Sequence, residues 1–285
     1  MVPKLKKIVS VTSQSWSQYF GEQPFTGDLA EEGQAGVFWT DLMGAEPMGY
    51  RWFRAYPWET NWVEVTGATN WYFVITNVDS WVNGSKVMCL VSNGAGESVW
   101  LGPEYLYVSP VPASIPAINY TTGQGPASRY PMTIRVFDQP TNFNRVSVIV
   151  TLWGLTHDRS ADLSILLVSP SGKQIMLMSN VGWTNRVANG SITFDQSWPP
   201  PNQSGPLLPP NGYYVIYRPS NYGQVTQMPQ VGSDPPPFHT GTYSANLDDL
   251  QYDNPNGVWK LYIYDFYQQR TGELTGSWQL NFDFE

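Results

Sequence analysis

The sequence predicts an all-β protein built from two successive β-sandwiches, and three observations carry that prediction. Helical 3.6-residue periodicity is nearly absent, while short runs of alternating apolar residues recur along the chain. Turn-forming pairs stand between these runs, among them Asn83-Gly84, Asn93-Gly94, Ser171-Gly172 and Asn256-Gly257. Pro (24) and Gly (25) are abundant and spread throughout, which suits many short strands joined by tight connections. A length of 285 residues exceeds one small sandwich and fits two domains of roughly 100–150 residues each.

Strands are expected over 71–76, 86–92, 105–108, 145–153, 163–169, 174–178, 213–217, 259–266 and 277–284. The segment Ser109-Pro110-Val111-Pro112, followed by Pro116, is the expected linker, because paired prolines cannot lie inside a central strand. The resulting division is an N-terminal arm over 1–33, one domain over 34–110 and another over 113–285. Two further Pro-rich tracts, 198–210 and 234–237, read as loop insertions in the second domain.

Charge and composition exclude several classes of function. Charged residues are only 13% of the chain and aromatics reach 15%, with 13 Trp and 17 Tyr. Such a chain fills a large core and leaves rings over for surface contacts. The net charge is −8, and the only cluster of cations is Lys4, Lys6 and Lys7, so nucleic acid is not an expected partner. No run approaches the ~20 apolar residues of a membrane helix. Residues 8–13 alternate and are too polar for the apolar stretch of a signal peptide. Cys89 is the only cysteine, so no intrachain disulfide forms. It is expected to be a buried apolar residue rather than a reactive thiol.

From about Ala113 onward the chain carries an ordered set of motifs. Thr156-His157-Asp158-Arg159-Ser160-Ala161-Asp162-Leu163 leads into a strand, then Ser169-Pro170-Ser171-Gly172, then a strand ending Met176-Leu177-Met178-Ser179. Thr193-Phe194-Asp195 and Phe238-His239-Thr240-Gly241-Thr242-Tyr243 follow. The last motifs are Asn254-Pro255-Asn256-Gly257-Val258-Trp259, Asp265, Thr271-Gly272-Glu273-Leu274 and Ser277-Trp278-Gln279-Leu280. This half resembles the P domain that follows the catalytic domain of subtilisin-like proprotein convertases. The resemblance implies a jelly-roll β-sandwich. Alternation agrees: Leu163, Ile165 and Leu167 share one strand face, as do Trp259, Leu261 and Ile263. No catalytic domain precedes it here, so the resemblance implies no protease activity.

Residues 34–108 resemble an immunoglobulin-like domain. Tyr50-Arg51-Trp52-Phe53 matches the strand of the core Trp, 73–78 the strand after it, and 87–96 the strand of the second disulfide cysteine. The partner cysteine is missing. Phe38, Trp39 and Thr40 stand near its place and are expected to fill the space of the lost bridge. Val87 occupies the position of the tyrosine corner.

No catalytic constellation emerges, and no cofactor is required by any motif. His157 and His239 are the only histidines, and G-x-S-x-G and metalloprotease motifs are absent. A Ser–His–Asp arrangement around His157 with Asp158 or Asp162 is conceivable, but a structural turn histidine is favoured. Asp162, Asp195 and Asp265 lie near strand ends. They suit calcium ligation by oxygen, and they suit the capping of turns better. On the strand after Gly257, Tyr262, Tyr264 and Phe266 form a second apolar face that some other segment must cover. Trp58, Trp62, Trp71 and Trp81 exceed one immunoglobulin-like core, and interface packing is favoured for them over sugar stacking.

Modules of these two types usually work outside cells, yet neither a signal peptide nor a disulfide is legible. A virion protein, folded in a reducing host cytoplasm and then exposed, reconciles these facts. The expectation is a non-enzymatic structural or adhesion protein of a bacteriophage virion surface: a capsid decoration (cement) protein, or a tail or fibre component. Its partners would be capsid or other virion subunits, in a homo-oligomer or lattice. The alternative is a bacterial cell-surface or secreted module that binds protein or glycan. The arm, with Trp16, Tyr19 and Phe20, is expected to reach a neighbouring subunit, and its removal to leave both domains folded.

Overall fold

The computed structural model describes residues 27–40, 46–79, 81–109, 113–115, 124–136, 139–208, 213–276 and 278–285. Among these the regular structure is β-strand, apart from two short 3-10 turns at Ser160–Asp162 and Leu247–Leu250. The protein is an all-β protein of packed sheets. The chain divides into two compact units, Met1–Pro110 and Val111–Glu285.

The first unit contains β1 (Gly27–Glu31), β2 (Gly36–Trp39), β3 (Gly49–Ala55), β4 (Val63–Glu64), β5 (Tyr72–Ile75), β6 (Lys86–Ser92) and β7 (Ser98–Ser109). One sheet runs β1-β7-β6-β3-β4, and the other pairs β2 with β5. Only β1 is parallel to its neighbour, β7; the other pairs are antiparallel. This is the strand order of an immunoglobulin-like sandwich, with β3, β6 and β7 as the central trio. The expected arm needs correction: residues 27–31 are the first strand of this sheet, because β7 offers them an open ladder from Tyr105 to Ser109. Removing 1–33 therefore strips a strand from the unit. Residues 1–26, including Lys4, Lys6, Lys7, Trp16, Tyr19 and Phe20, lie outside the described residues.

Phe38, Trp52 and Cys89 are fully buried in one cluster. Trp52 lies opposite Cys89 in the β3–β6 register. Its ring stacks on Phe73 of the other sheet at 5.8 Å, and its Nε1 donates to the Asn70 carbonyl at 2.8 Å. Of the three residues near the missing cysteine, Phe38 supplies the packing in place of the bridge, and period-two alternation leaves Trp39 half-buried. Burial pushes the Cys89 thiol up to about 12.

The second unit contains β8 (Ala113–Ile115), β9 (Gly125–Pro126), β10 (Met132–Val136), β11 (Val146–His157), β12 (Leu163–Val168), β13 (Gln174–Ser179), β14 (Val187–Phe194), β15 (Tyr214–Tyr217), β16 (Ser220–Asn221), β17 (Gly257–Asp265), β18 (Gly272–Leu274) and β19 (Trp278–Phe284). One sheet runs β10-β17-β12-β13-β16, with β9 on β17; the other runs β15-β14-β11-β18-β8, with β19 on β11. The chain passes between the sheets from β8 to β9, β10 to β11, β11 to β12, β13 to β14, β15 to β16 and β17 to β18, the crossing pattern of a jelly roll. Two elements differ from expectation. β11 runs past Gly154 (φ 72), where its register with β14 shifts. β14 forms where no strand was expected, and Asn189 (φ 49) lies in it at the bulge that matches the shift in β11.

Leu163, Ile165 and Leu167 of β12 meet Trp259, Leu261 and Ile263 of β17 in the main core. The opposite faces of the same strands carry Leu166, Val168 and Tyr262, which with Met176 of β13 are buried under Met228 and Tyr243. The cover expected for Tyr262 is thus the Pro-rich insertion between β16 and β17. Asn221 pins it, its Nδ2 donating to the Val225 and Tyr243 carbonyls at 3.2 and 3.1 Å. The Tyr130 hydroxyl donates to the Pro229 carbonyl at 3.1 Å. The Tyr262 hydroxyl makes no hydrogen bond among the described residues.

Two outcomes follow from this packing. Tyr262→Phe removes a buried, unpaired hydroxyl and is expected to raise unfolding stability by about 1 kcal/mol; a lowered thermal midpoint would contradict it. Cys89 should resist a thiol reagent at pH 8 in the native state and react once denatured, because thiolate is scarce at its raised pKa. Fast native labelling would contradict the burial of β6.

Candidate functional site

Two places in the described residues bring chemistry-bearing side chains together. One is a polar cluster inside the second unit. The other is the outer face of the larger sheet in the first.

His157 ends β11 with its side chain fully enclosed, and Asp265 ends β17 in the same state. Their Nε2 and Oδ2 atoms are 3.0 Å apart. His157 Nδ1 lies 2.8 Å from the Arg159 carbonyl and 3.2 Å from the Arg159 amide. The other Asp265 oxygen accepts the Tyr267 amide at 3.0 Å. Asp162, also enclosed, accepts from Arg270 Nη1 at 2.7 Å and faces Arg159 Nε at 3.3 Å. That hydrogen bond to Asp162, with the charges of Asp162, Asp265 and Asp158, pushes the Arg270 guanidinium further up. Asp158 Oδ2 accepts the Thr271 amide at 3.3 Å.

A histidine and an aspartate are therefore paired here, as a nucleophile-activating set requires, but among the described residues no hydroxyl sits on the imidazole. Ser160 Oγ donates instead to the Val181 carbonyl at 2.9 Å and reaches the Asn185 carbonyl at 3.4 Å. The cluster joins the ends of β11 and β17 to each other and to the loops that leave them, as a turn histidine would. Of the three aspartates considered for calcium, Asp162 and Asp265 share this cluster. Asp195 stands apart, accepting the Ser197 amide and hydroxyl at 2.9 and 2.7 Å as a turn cap. Among the described residues, no group of three or more His, Cys, Asp or Glu side chains is placed to hold a metal ion. His239 is separate again and stacks on Tyr243 at 4.3 Å.

On the first unit, β6 buries Val87, Cys89 and Val91 and turns Lys86, Met88 and Leu90 to the other face. Register puts Phe53 opposite Met88, Arg51 opposite Leu90, and Leu90 opposite Trp100. The Phe53 and Trp100 rings lie 4.9 Å apart, and Trp100 is 51% exposed. After the bulge at Gly102, Tyr105 and Tyr107 continue the face toward β1. Arg51 stands over Phe53 at 5.5 Å, and Lys86 over Tyr105 at 6.0 Å. Arg51 Nε also donates to Glu64 at 2.8 Å, which raises the guanidinium and lowers the carboxyl. The tryptophans singled out by number divide. Trp58 stacks on Tyr56 at 4.8 Å and is half-buried, as is Trp81. Trp62 and Trp71 are exposed, and Trp71 packs edge-on to Tyr72. Sequence reasoning did not single out Phe53 and Trp100 as a pair, because their strands are joined only through β6.

No family model matches the chain, and no curated protein does. Solved structures similar to part of it include the N-terminal four Ig domains of Dscam1 isoform 8.4 and of isoform 6.9. The first is 17% identical with a TM-score of 0.26 over 50% of this chain; the second is 16% identical with a TM-score of 0.25 over 51%. The chain spans 36% of the length of each. The immunoglobulin-like description of the first unit stands on its own strand order. Among the described residues, no helix is long and apolar enough to cross a membrane.

The His157–Asp265 pair makes a test of the non-catalytic reading. His157→Ala should cost roughly 1–3 kcal/mol of unfolding stability, because Asp265 Oδ2 loses its buried hydrogen-bond partner. Screened against peptide, ester and glycoside libraries, the intact chain should show no turnover. Turnover abolished in His157→Ala variants that remain folded would reverse the assignment.

Proposed function

We propose that this protein is a non-enzymatic structural and adhesion protein of a bacteriophage virion surface. A capsid decoration (cement) protein is the first reading, and a tail or fibre component the second. The observation that carries the proposal is a contrast between two sheets. The second unit covers the outer apolar face of its own sheet with an insertion, burying Tyr262 and Met176 completely. The first unit leaves Phe53, Met88, Leu90, Trp100 and Tyr107 on the outer face of its five-stranded sheet half-buried or exposed.

Rings, a methionine and an arginine at the centre of a face are the composition of protein–protein contact. Docked on a repeating lattice, many such faces act together, and weak individual contacts become firm attachment. A sandwich that packs Phe38 against the region of Cys89 needs no oxidant to fold, which suits synthesis in a reducing cytoplasm.

The test is co-sedimentation of the purified chain with the phage particles of its source. Binding is expected, and Trp100→Glu should weaken it by about tenfold or more, as for a central interface anchor, while leaving the circular dichroism spectrum unchanged. Absence of particle binding, or binding untouched by Trp100→Glu, would overturn the proposal.

A further inference from the structure

Two neighbouring loops of the second unit hold non-glycine residues in the left-handed region, Asn180 and Trp183 at φ 51 and 52 in one and Gln269 at φ 67 in the other. Such conformations cost free energy and persist where the surroundings over-determine them. Around Trp183 the surroundings do so. Buried Ser160 donates its amide to the Asn185 carbonyl at 3.1 Å and its hydroxyl to the Val181 carbonyl at 2.9 Å. Asn185 returns its amide and Nδ2 to the Gly182 carbonyl at 3.0 and 2.8 Å. Gly182 packs so closely that a Cβ there would lie 2.1 Å from Ser160 Oγ. This frame leaves the Trp183 ring 55% exposed. Strain is being held in order to keep an apolar ring in water, the reverse of what stability alone would select.

Arg159 joins this loop to the other. Its Nε donates to the Trp183 carbonyl at 3.2 Å, and its guanidinium stands 5.8 Å from the Tyr267 ring centre. Tyr267 is 56% exposed. Arg270, in the same loop as Tyr267, bonds Asp162 through Nη1. The aspartate is enclosed, whereas the two arginine side chains keep 28% and 37% of their surface exposed. Asp162 is thus inside and the two guanidinium groups outside, with exposed Asp158 beside Arg270 and its carboxylate engaged by the Thr271 amide. Among the described residues, Nη1 and Nη2 of Arg159, and Nε and Nη2 of Arg270, have no hydrogen-bond partner.

We infer that Trp183, Tyr267, Arg159 and Arg270 form a binding site for a carboxylate-bearing sugar, a uronic or sialic acid residue of an acidic glycan. Exposed aromatic rings pack on the C–H side of a pyranose, and guanidinium N–H groups left without a partner in the chain are donors for a carboxylate. The exposed rim is Thr184, Gln268 and Gln269, polar groups that suit hydroxyls. A protein hot spot is ringed instead by contacts that exclude water. The site belongs to the second unit alone and stands or falls independently of the aromatic face on the first.

The experiment is calorimetric titration of the full chain with glucuronate- and N-acetylneuraminate-bearing oligosaccharides, neutral oligosaccharides of equal length, and poly-glutamate. Trp183→Gly is the decisive variant, because glycine adopts this φ freely and the loop keeps its path without the ring. An acidic saccharide is expected to bind, with affinity lowered by about tenfold or more in Trp183→Gly and in Arg270→Gln, a loss of one decade or more in Kd. The thermal midpoint of Trp183→Gly should be unchanged or raised. Failure of both acidic saccharides to bind, equal binding of the neutral ones, or unaltered binding by a folded Trp183→Gly would each refute the site. Poly-glutamate binding with the same dependence on Trp183 would refute the sugar assignment in favour of an acidic peptide.

Discussion

A sheet that is apolar on both faces needs two covers, and that constraint organises the second unit. Every residue of β12 is buried, from Leu163 to Val168. One face is covered by the opposing sheet, through Leu152, Leu155 and Phe194. The other has no third sheet to meet, so a loop-forming insertion is drawn over it, with Met228 and Tyr243 as its apolar contacts. Its prolines lower the entropy lost on ordering a segment with few backbone hydrogen bonds of its own. Among the described residues the first unit carries apolar residues on the outer face of its larger sheet without such an insertion, Trp100 and Tyr107 being exposed there.

The polar cluster at the end of β11 serves the same architecture by a different force. Strand ends and loop carbonyls buried between two sheets require partners, and His157, Asp265, Asp162 and Ser160 supply them. In low dielectric, such a network holds its geometry rigidly when its members are satisfied. The loops leaving this end hold Trp183 and Gln269 in the left-handed region, and Asp162 Oδ1 stays without a hydrogen bond among the described residues. Trp183 and Tyr267 stand out from them in water, bridged by a guanidinium whose charge is balanced by an acid on the inside. A catalytic reading of the histidine would require a hydroxyl on the imidazole, and the nearby hydroxyl of Ser160 is committed to carbonyls instead.

Much of this was legible residue by residue. The alternation of Leu163, Ile165 and Leu167 located β12 and its core face, and the second apolar face of β17 already demanded a cover. Trp52 and Cys89 marked the two central strands of the first unit, and a bulky residue near Phe38 was required once no second cysteine existed. Other features were hidden for definite reasons. Asn189-Gly190 has the chemistry of a turn, yet the facing bulge at Gly154 lets β14 run through it. Residues 27–31 alternate too weakly to be read as a strand, and become one because β7 presents an open ladder.

The sequence by itself determined the all-β class, the period-two faces and the absence of a disulfide, because these depend on local pattern and composition. Only the tertiary structure decided which surfaces are spoken for. Asp162 meets Arg270, and His157 meets Asp265, across 108 positions of chain. Phe53 meets Trp100 only because β6 lies between their strands. Proximity of that kind is set by topology and by the need to satisfy buried polar groups, and no local spacing encodes it. The same holds for the open faces: whether an apolar face is core or docking surface depends on what the rest of the chain has left over to cover it.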